Sequence, residues 1–258
     1  MLRNSFVIAK GVGPQREASL WRNGVRTWDD FLDERSIKGI SAARKKKLDS
    51  EIGRARDSLE GGDASYFSRH LASRHRWRCL KDFEKSVCYL DIETTGLSLL
   101  SPITVVGMHD GKRMHTLVRG IDLSGSNLRA MLSSVSMIVT YNGSGFDLPV
   151  IEQQFPGSVP EVPHVDLRYP LRRIGFTGGL KAIEREMGVE RDRRVEYMTG
   201  EDAVYLWRLW ERQGKRNALD LLIEYNAEDC KNLKPLAARA YDVMKRSTFD
   251  AIVGPLKD

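Results

Sequence analysis

The chain has 258 residues, of which 41% are hydrophobic and 29% charged, and a net charge of +6. That length can bury a substantial core and favours one larger domain with a smaller one attached. No stretch approaches about 18 uninterrupted apolar residues, which excludes a membrane-spanning helix. Arg3 and Asn4 interrupt the few apolar residues of Met1–Lys10, which does not make a secretory signal, so a cytoplasmic location is expected.

The charge is unevenly spread. Residues 1–85 hold 19 Lys and Arg against 12 Asp and Glu, whereas the remaining 173 hold 22 against 23. A basic segment on a near-neutral remainder is what an arm adding sequence-independent attraction to a polyanion requires. Its residues read as short helices at Glu17–Asn23, Thr27–Leu32 and Ala42–Leu59, with Thr27 as N-cap and Gly61 and Gly62 stopping the third. Besides Asn23, Gly24, Val25, two glycine-bearing turns precede helices in this segment. One is Gly11, Val12, Gly13, and the other is Gly39, Ile40, Ser41, followed by Arg44, Lys45, Lys46 and Lys47. Glycines let a backbone approach phosphate and amides at a helix start can receive it, so these residues are candidates for nucleic-acid contact. Residues 1–70 are assigned to this helical domain and 71–85 to a linker.

From residue 86 the pattern alternates between strand and helix, to the end of the chain at 258. Val87–Ile92, Ile103–Met108 and Met114–Val118 read as three successive strands, with a turn at Gly111. Leu128, Met131, Leu132 and Val135 follow at helical spacing, then a short strand at Met137–Tyr141 and a helix from Leu148 to Phe155. Helices are expected near 179–188, 201–212 and 217–245, the last with a kink or restart at Pro235. Together these elements predict an α/β domain with a mixed sheet covered by helices. Cys79, Cys88 and Cys230 share no metal-site spacing and are expected to be reduced packing residues.

Three acidic elements carry chemistry. Asp91 and Glu93 stand two apart at the end of the first strand, so both leave the same face of the sheet, where each raises the pKa of the other unless a cation lies between them. Thr94 and Gly96 after them would leave the pair accessible. Asp147 ends Asn142-Gly143-Ser144-Gly145-Phe146-Asp147 between a strand and a helix, a position that would also suit a helix N-cap. Tyr225 and Asp229 lie four apart on one helix face, with Leu222, Leu233 and Leu236 nearby, so Asp229 is expected to point inward.

In this order the elements DIETTG, NGSGFD and YNAED resemble the three motifs of the DEDD exonuclease superfamily. The branch is the tyrosine-containing one, since the histidine of the other branch would stand at 224, which is Glu224. HVDL at 164–167 and GGLKAIE at 178–184 are similar to the ribonuclease H-like proteins related to YprB. The resemblance covers roughly residues 85–245. It implies a ribonuclease H-like fold and 3′–5′ exonuclease activity, with a ribonuclease, a structure-specific endonuclease or an inactive binding module as alternatives. It further implies two Mg²⁺ or Mn²⁺ ions held by Asp91, Glu93, Asp147 and Asp229, a nucleic-acid partner and no organic cofactor. Asp91 would bridge the ions and Tyr225 would orient the attacking water, a better role than base for a phenol of ordinary pKa about 10. The glycine turns look like a helix-hairpin-helix. Asp166 and Thr94 are expected to support the site, and Asn142 to contact nucleic acid or tie down its own loop. The Arg runs at 168–173 and 191–194 are candidates to line a backbone path.

Overall fold

The computed structural model describes residues 1–254; residues 255–258, the end of the expected catalytic domain, lie outside it. Gly13 and Pro14 start α1 (Pro14–Arg22), proline occupying a first-turn position whose N–H would have no helical partner. α2 (Trp28–Asp33) opens on the capping box of Thr27 and Asp30. α3 (Ala42–Glu60) starts from the Ser41 hydroxyl, and α4 (Ala64–His70) from the Asp63 carboxylate.

Residues 71–85, expected as a linker, are instead packed into the protein. They carry a 3-10 helix, Ser73–Cys79, whose Trp77 and Cys79 join the core together with Leu80. Arg78 is buried within it and pairs with buried Glu17 at 2.7 Å, and Glu17 also accepts the N–H groups of Phe6 and Val7. The stretch is too apolar, and holds too well-paired an arginine, to remain a solvated tether. The last described turns close on the same region, where Phe249 meets Trp21 edge-on at 5.1 Å. One continuous core therefore runs from Leu2 and Trp28 through Trp77 to Val87, Leu236 and Met244.

β1 (Val87–Thr94), β2 (Ile103–His109) and β3 (Met114–Val118) form the expected antiparallel meander. α5 (Gly125–Leu132) leads to β4 (Met137–Thr140), which lies parallel to β1, and α6 (Asp147–Gln154) leads to β5 (His164–Asp166), parallel to β4. The five-stranded order is β3-β2-β1-β4-β5. α7 (Arg168–Arg173), α8 (Leu180–Met187), α9 (Gly200–Gln213) and α10 (Arg216–Lys245) follow. α10 runs through Pro235 without the expected restart; Leu233, Leu236 and Ala237 around the proline are all buried in the core, which holds the helix together there.

Alternation along β1 decides what each face meets. Cys88, Leu90 and Ile92 pack with Leu128 and Leu132 of α5 and with Val150 and Ile151 of α6. Val87, Tyr89, Asp91 and Glu93 face the other way, the side on which α10 crosses the sheet. α10 reaches it closely because β2 has Gly107 at the crossing. A Cβ there would lie 2.0 Å from Asn226 Oδ1 and 2.7 Å from Cys230 Sγ. Cys79, Cys88 and Cys230 are buried and free. Among the described residues, no helix is long and apolar enough to cross a membrane.

Candidate active site

The carboxyl ends of β1 and β4 point the same way, and the three acidic elements meet there. Asp91 and Glu93 descend from β1, with a bulge after Glu93, and Asp229 rises from α10. Each of the three offers an oxygen, and these oxygens all lie within 4.8 Å of one another. Asp147 stands at the first turn of α6 beside this triad and accepts the N–H of Ile92, the residue between Asp91 and Glu93, at 3.2 Å. Glu93, Asp147 and Asp229 are buried, and Asp91 keeps partial access to solvent.

Four carboxyls in so small a space are strongly perturbed. Burial raises Asp91 and Glu93 well above the usual carboxylate range, and the charges of Asp229 and Asp147 raise them further. Burial pushes Asp147 up to about 7. Asp229 is raised by burial as well, with Arg191 opposing the shift. Such a group of hard oxygen donors is costly without cations and suits Mg²⁺ or Mn²⁺, so the donor set fits the metals that the motifs imply. Tyr225 lies buried one helical turn before Asp229, and burial, reinforced by the neighbouring carboxylates, raises its phenol far above the ordinary value.

The supporting residues have definite partners. Asp166, at the end of β5, accepts the N–H of Asn142 at 2.7 Å and of Ser144 at 3.1 Å, and so fixes the loop that delivers Asp147. Asn142 occupies the left-handed region, with φ 64°, and its side-chain oxygen accepts a bond from Arg168 at 2.5 Å, so it ties down its own loop. The Thr94 hydroxyl donates to the carbonyl of Gly96 and closes the turn after Glu93. Asn226, fully buried, donates to the Asp91 carboxylate at 2.9 Å and to its backbone carbonyl at 3.2 Å.

Four further residues complete the surroundings, and composition and spacing had given them no role in the site. Tyr141 bonds the carbonyl of Gly178, anchoring the turn that starts α8. α8 brings Lys181 and Glu184 to the carboxylates. The buried ammonium of Lys181 lies 4.4 Å from the centre of the Tyr225 ring and has no hydrogen-bond partner among the described residues. Arg191, from the Arg run read as a surface path, is instead buried against Glu184 and Asp229. GGLKAIE was visible as a motif, but only the fold shows what its Lys181 and Glu184 touch.

The residues expected to contact nucleic acid in the helical segment do not form one surface. Lys45 is turned inward, 5% exposed, paired with Asp49 at 2.5 Å and set over the Phe31 ring. It stands on the buried stripe of α3 with Leu48 and Ile52, and is therefore withdrawn from any phosphate surface. Arg44 reaches back to the carbonyl of Lys10 beside Gly11, whereas Lys46 and Lys47 are exposed. Gly11 and Gly13 share with Lys38 and Gly39 a groove of about 420 Å³.

This fold, with its acidic end, defines a ribonuclease H-like α/β protein, and residues 88–241 match the RNase_H superfamily. The chain belongs to that superfamily. No curated protein sequence matches the chain. Among solved structures it is similar to the family B DNA polymerase from the hyperthermophilic archaeon Pyrobaculum calidifontis, with a TM-score of 0.50 and 15% identity. The likeness covers 66% of this chain and 27% of the polymerase, so the chain spans about a quarter of that protein's length.

Proposed function

We propose that the protein is a metal-dependent nuclease that hydrolyses phosphodiester bonds of nucleic acid, as a 3′–5′ exonuclease of the tyrosine-containing DEDD type. The observation that carries this reading is the meeting of Asp91, Glu93 and Asp229, from segments more than 130 residues apart, within 4.8 Å, with Asp147 beside them. Asp91, Glu93, Asp147 and Asp229 would hold two Mg²⁺ or Mn²⁺ ions. When bound, such ions activate the attacking water and stabilise the leaving oxygen of an in-line displacement. Of the four, Asp91 keeps partial access to solvent. Tyr225, one helical turn before Asp229, is assigned the role of orienting the attacking water. Lys181, whose buried ammonium has no hydrogen-bond partner among the described residues, lies over the Tyr225 ring beside the carboxylates. The direction of cleavage rests on the motif resemblance.

The helical segment 1–70 is assigned a supporting role in binding nucleic acid, through Gly11, Gly13 and Arg44 at the first turn and the exposed Lys46 and Lys47. A time course on 5′-labelled single- and double-stranded DNA and RNA, with Mn²⁺ or Mg²⁺ and with EDTA, tests the reading. The expected result is a metal-dependent ladder that shortens one nucleotide at a time from the 3′ end. Internal cuts at early times would reject the exonuclease assignment, and no cleavage of any substrate would reject the nuclease.

A further inference from the structure

α8 and the loop after it place a second ion pair directly behind the metal-binding carboxylates. The Arg191 side chain is 4% exposed and the Glu184 side chain 1%. Arg191 donates to Glu184 through Nε and Nη2, the latter at 2.7 Å, and the same Nη2 donates to Asp229 Oδ1. One guanidinium nitrogen thus joins the buried Glu184 to a residue of the acidic triad.

Two readings of this contact make opposite demands. If Arg191 only stood in for a cation, it would leave Asp229 when a metal arrives, and removing it would tighten metal binding. Leaving would strand the Glu184 carboxylate, which is almost wholly buried and has no other charged partner among the described salt bridges. Arg191 is therefore fixed from behind. Ligating carboxylates are ordinarily held in this manner by hydrogen-bond donors outside the metal shell.

We propose that Arg191 is a positioning residue: anchored by Glu184, it engages Oδ1 of Asp229 and so would hold that carboxylate in the orientation in which it serves a metal. The inference rests on the metal-dependent reading of the site and adds to it a residue pair outside the acidic motifs. It also explains why a glutamate is buried in α8 at a position where an apolar residue would pack more simply.

The test is Mn²⁺ binding by the full chain without nucleic acid, followed by calorimetry and by the electron-spin signal of free Mn²⁺, for the wild type, Arg191→Ala and Arg191→Lys. Arg191→Ala should weaken binding by about 10- to 100-fold, although it removes a positive charge, and added guanidinium should restore part of the loss. Arg191→Lys keeps the charge but has no planar fork to serve both acids, and should bind almost as weakly as the alanine variant. Should Arg191→Ala fail to fold, the double variant Arg191→Met/Glu184→Met, which removes the buried Glu184 together with its only salt-bridge partner among the described residues, should show the same loss. Cleavage by these variants should recover at raised Mn²⁺, which separates metal occupancy from turnover. Unchanged or tighter Mn²⁺ binding by variants that retain their near-ultraviolet circular dichroism would overturn the proposal while leaving the nuclease reading in place. A wild type that neither binds Mn²⁺ nor cleaves would overturn both.

Discussion

Asp147→Asn offers a direct reading of the electrostatics of the site. The Asp147 carboxyl titrates near 7 in the folded protein, against an ordinary 3.8, chiefly because it is buried. Between these values the native state keeps a proton that the unfolded chain has released, so stability falls as pH rises through this window and does not recover above it. At about 1.36 kcal/mol per pH unit, carrying the group from 3.8 to about 7 corresponds to a loss on the order of 4 kcal/mol. For a chain of this size that loss lowers the melting temperature by roughly 10 °C. Asparagine keeps an oxygen to accept the Ile92 N–H and cannot ionise. Melting curves in EDTA at pH 5 and pH 8 should therefore show a wild type that loses stability with pH, and a variant that loses less by about 3 kcal/mol, the part of the window above pH 5. Saturating Mn²⁺ should restore the wild type at pH 8 more than the variant. Parallel pH dependences of the two proteins in EDTA would refute the argument.

Gly107→Ala places a methyl group 2.0 Å from Asn226 Oδ1 and 2.8 Å from Met114 Cε, so those side chains or α10 must shift. A cost of about 1–3 kcal/mol is expected, with loss of cleavage as Asn226 leaves Asp91; wild-type stability and turnover would show that the crossing has slack. Tyr225→Phe keeps the ring under Lys181 and should slow single-turnover cleavage by up to about 100-fold, whereas an unchanged rate would make the tyrosine a packing residue. Lys46→Ala/Lys47→Ala, in an Asp91→Ala background that cannot cleave, should flatten the slope of log affinity against log salt by about 0.7 per lost contact to a single strand. An unchanged slope would withdraw the role of the helical segment in binding nucleic acid.

The parts of the fold and site that were legible in the sequence are those in which local pattern and tertiary role coincide. β1 to β3 alternate or run apolar between turn residues, and the same period of two that marks β1 as a strand puts Asp91 and Glu93 on one face. Asp229 was legible as inward-facing because apolar residues surround its side of α10. Lys45 was misread because a charge run was taken together, although its spacing from Leu48 and Ile52 places it on the buried stripe of α3. The expected linker failed similarly, since Trp77, Cys79 and Leu80 carry enough apolar surface to be drawn into a core. Arg191 and Glu184 offered no such signal. A buried arginine is recognisable only from its partners, and Asp229 lies 38 residues further along the chain.

Asp91→Ala and Asp229→Asn, assayed beside the wild type, test whether the four carboxylates hold cations needed to cleave nucleic acid. End-labelled oligonucleotide is incubated with each protein in Mn²⁺ and in EDTA, and folding is checked by circular dichroism on the same samples. The account predicts cleavage by the wild type in Mn²⁺ alone and none by either variant, both of which remain folded. Cleavage by a folded variant, or cleavage by the wild type that persists in EDTA, would contradict it.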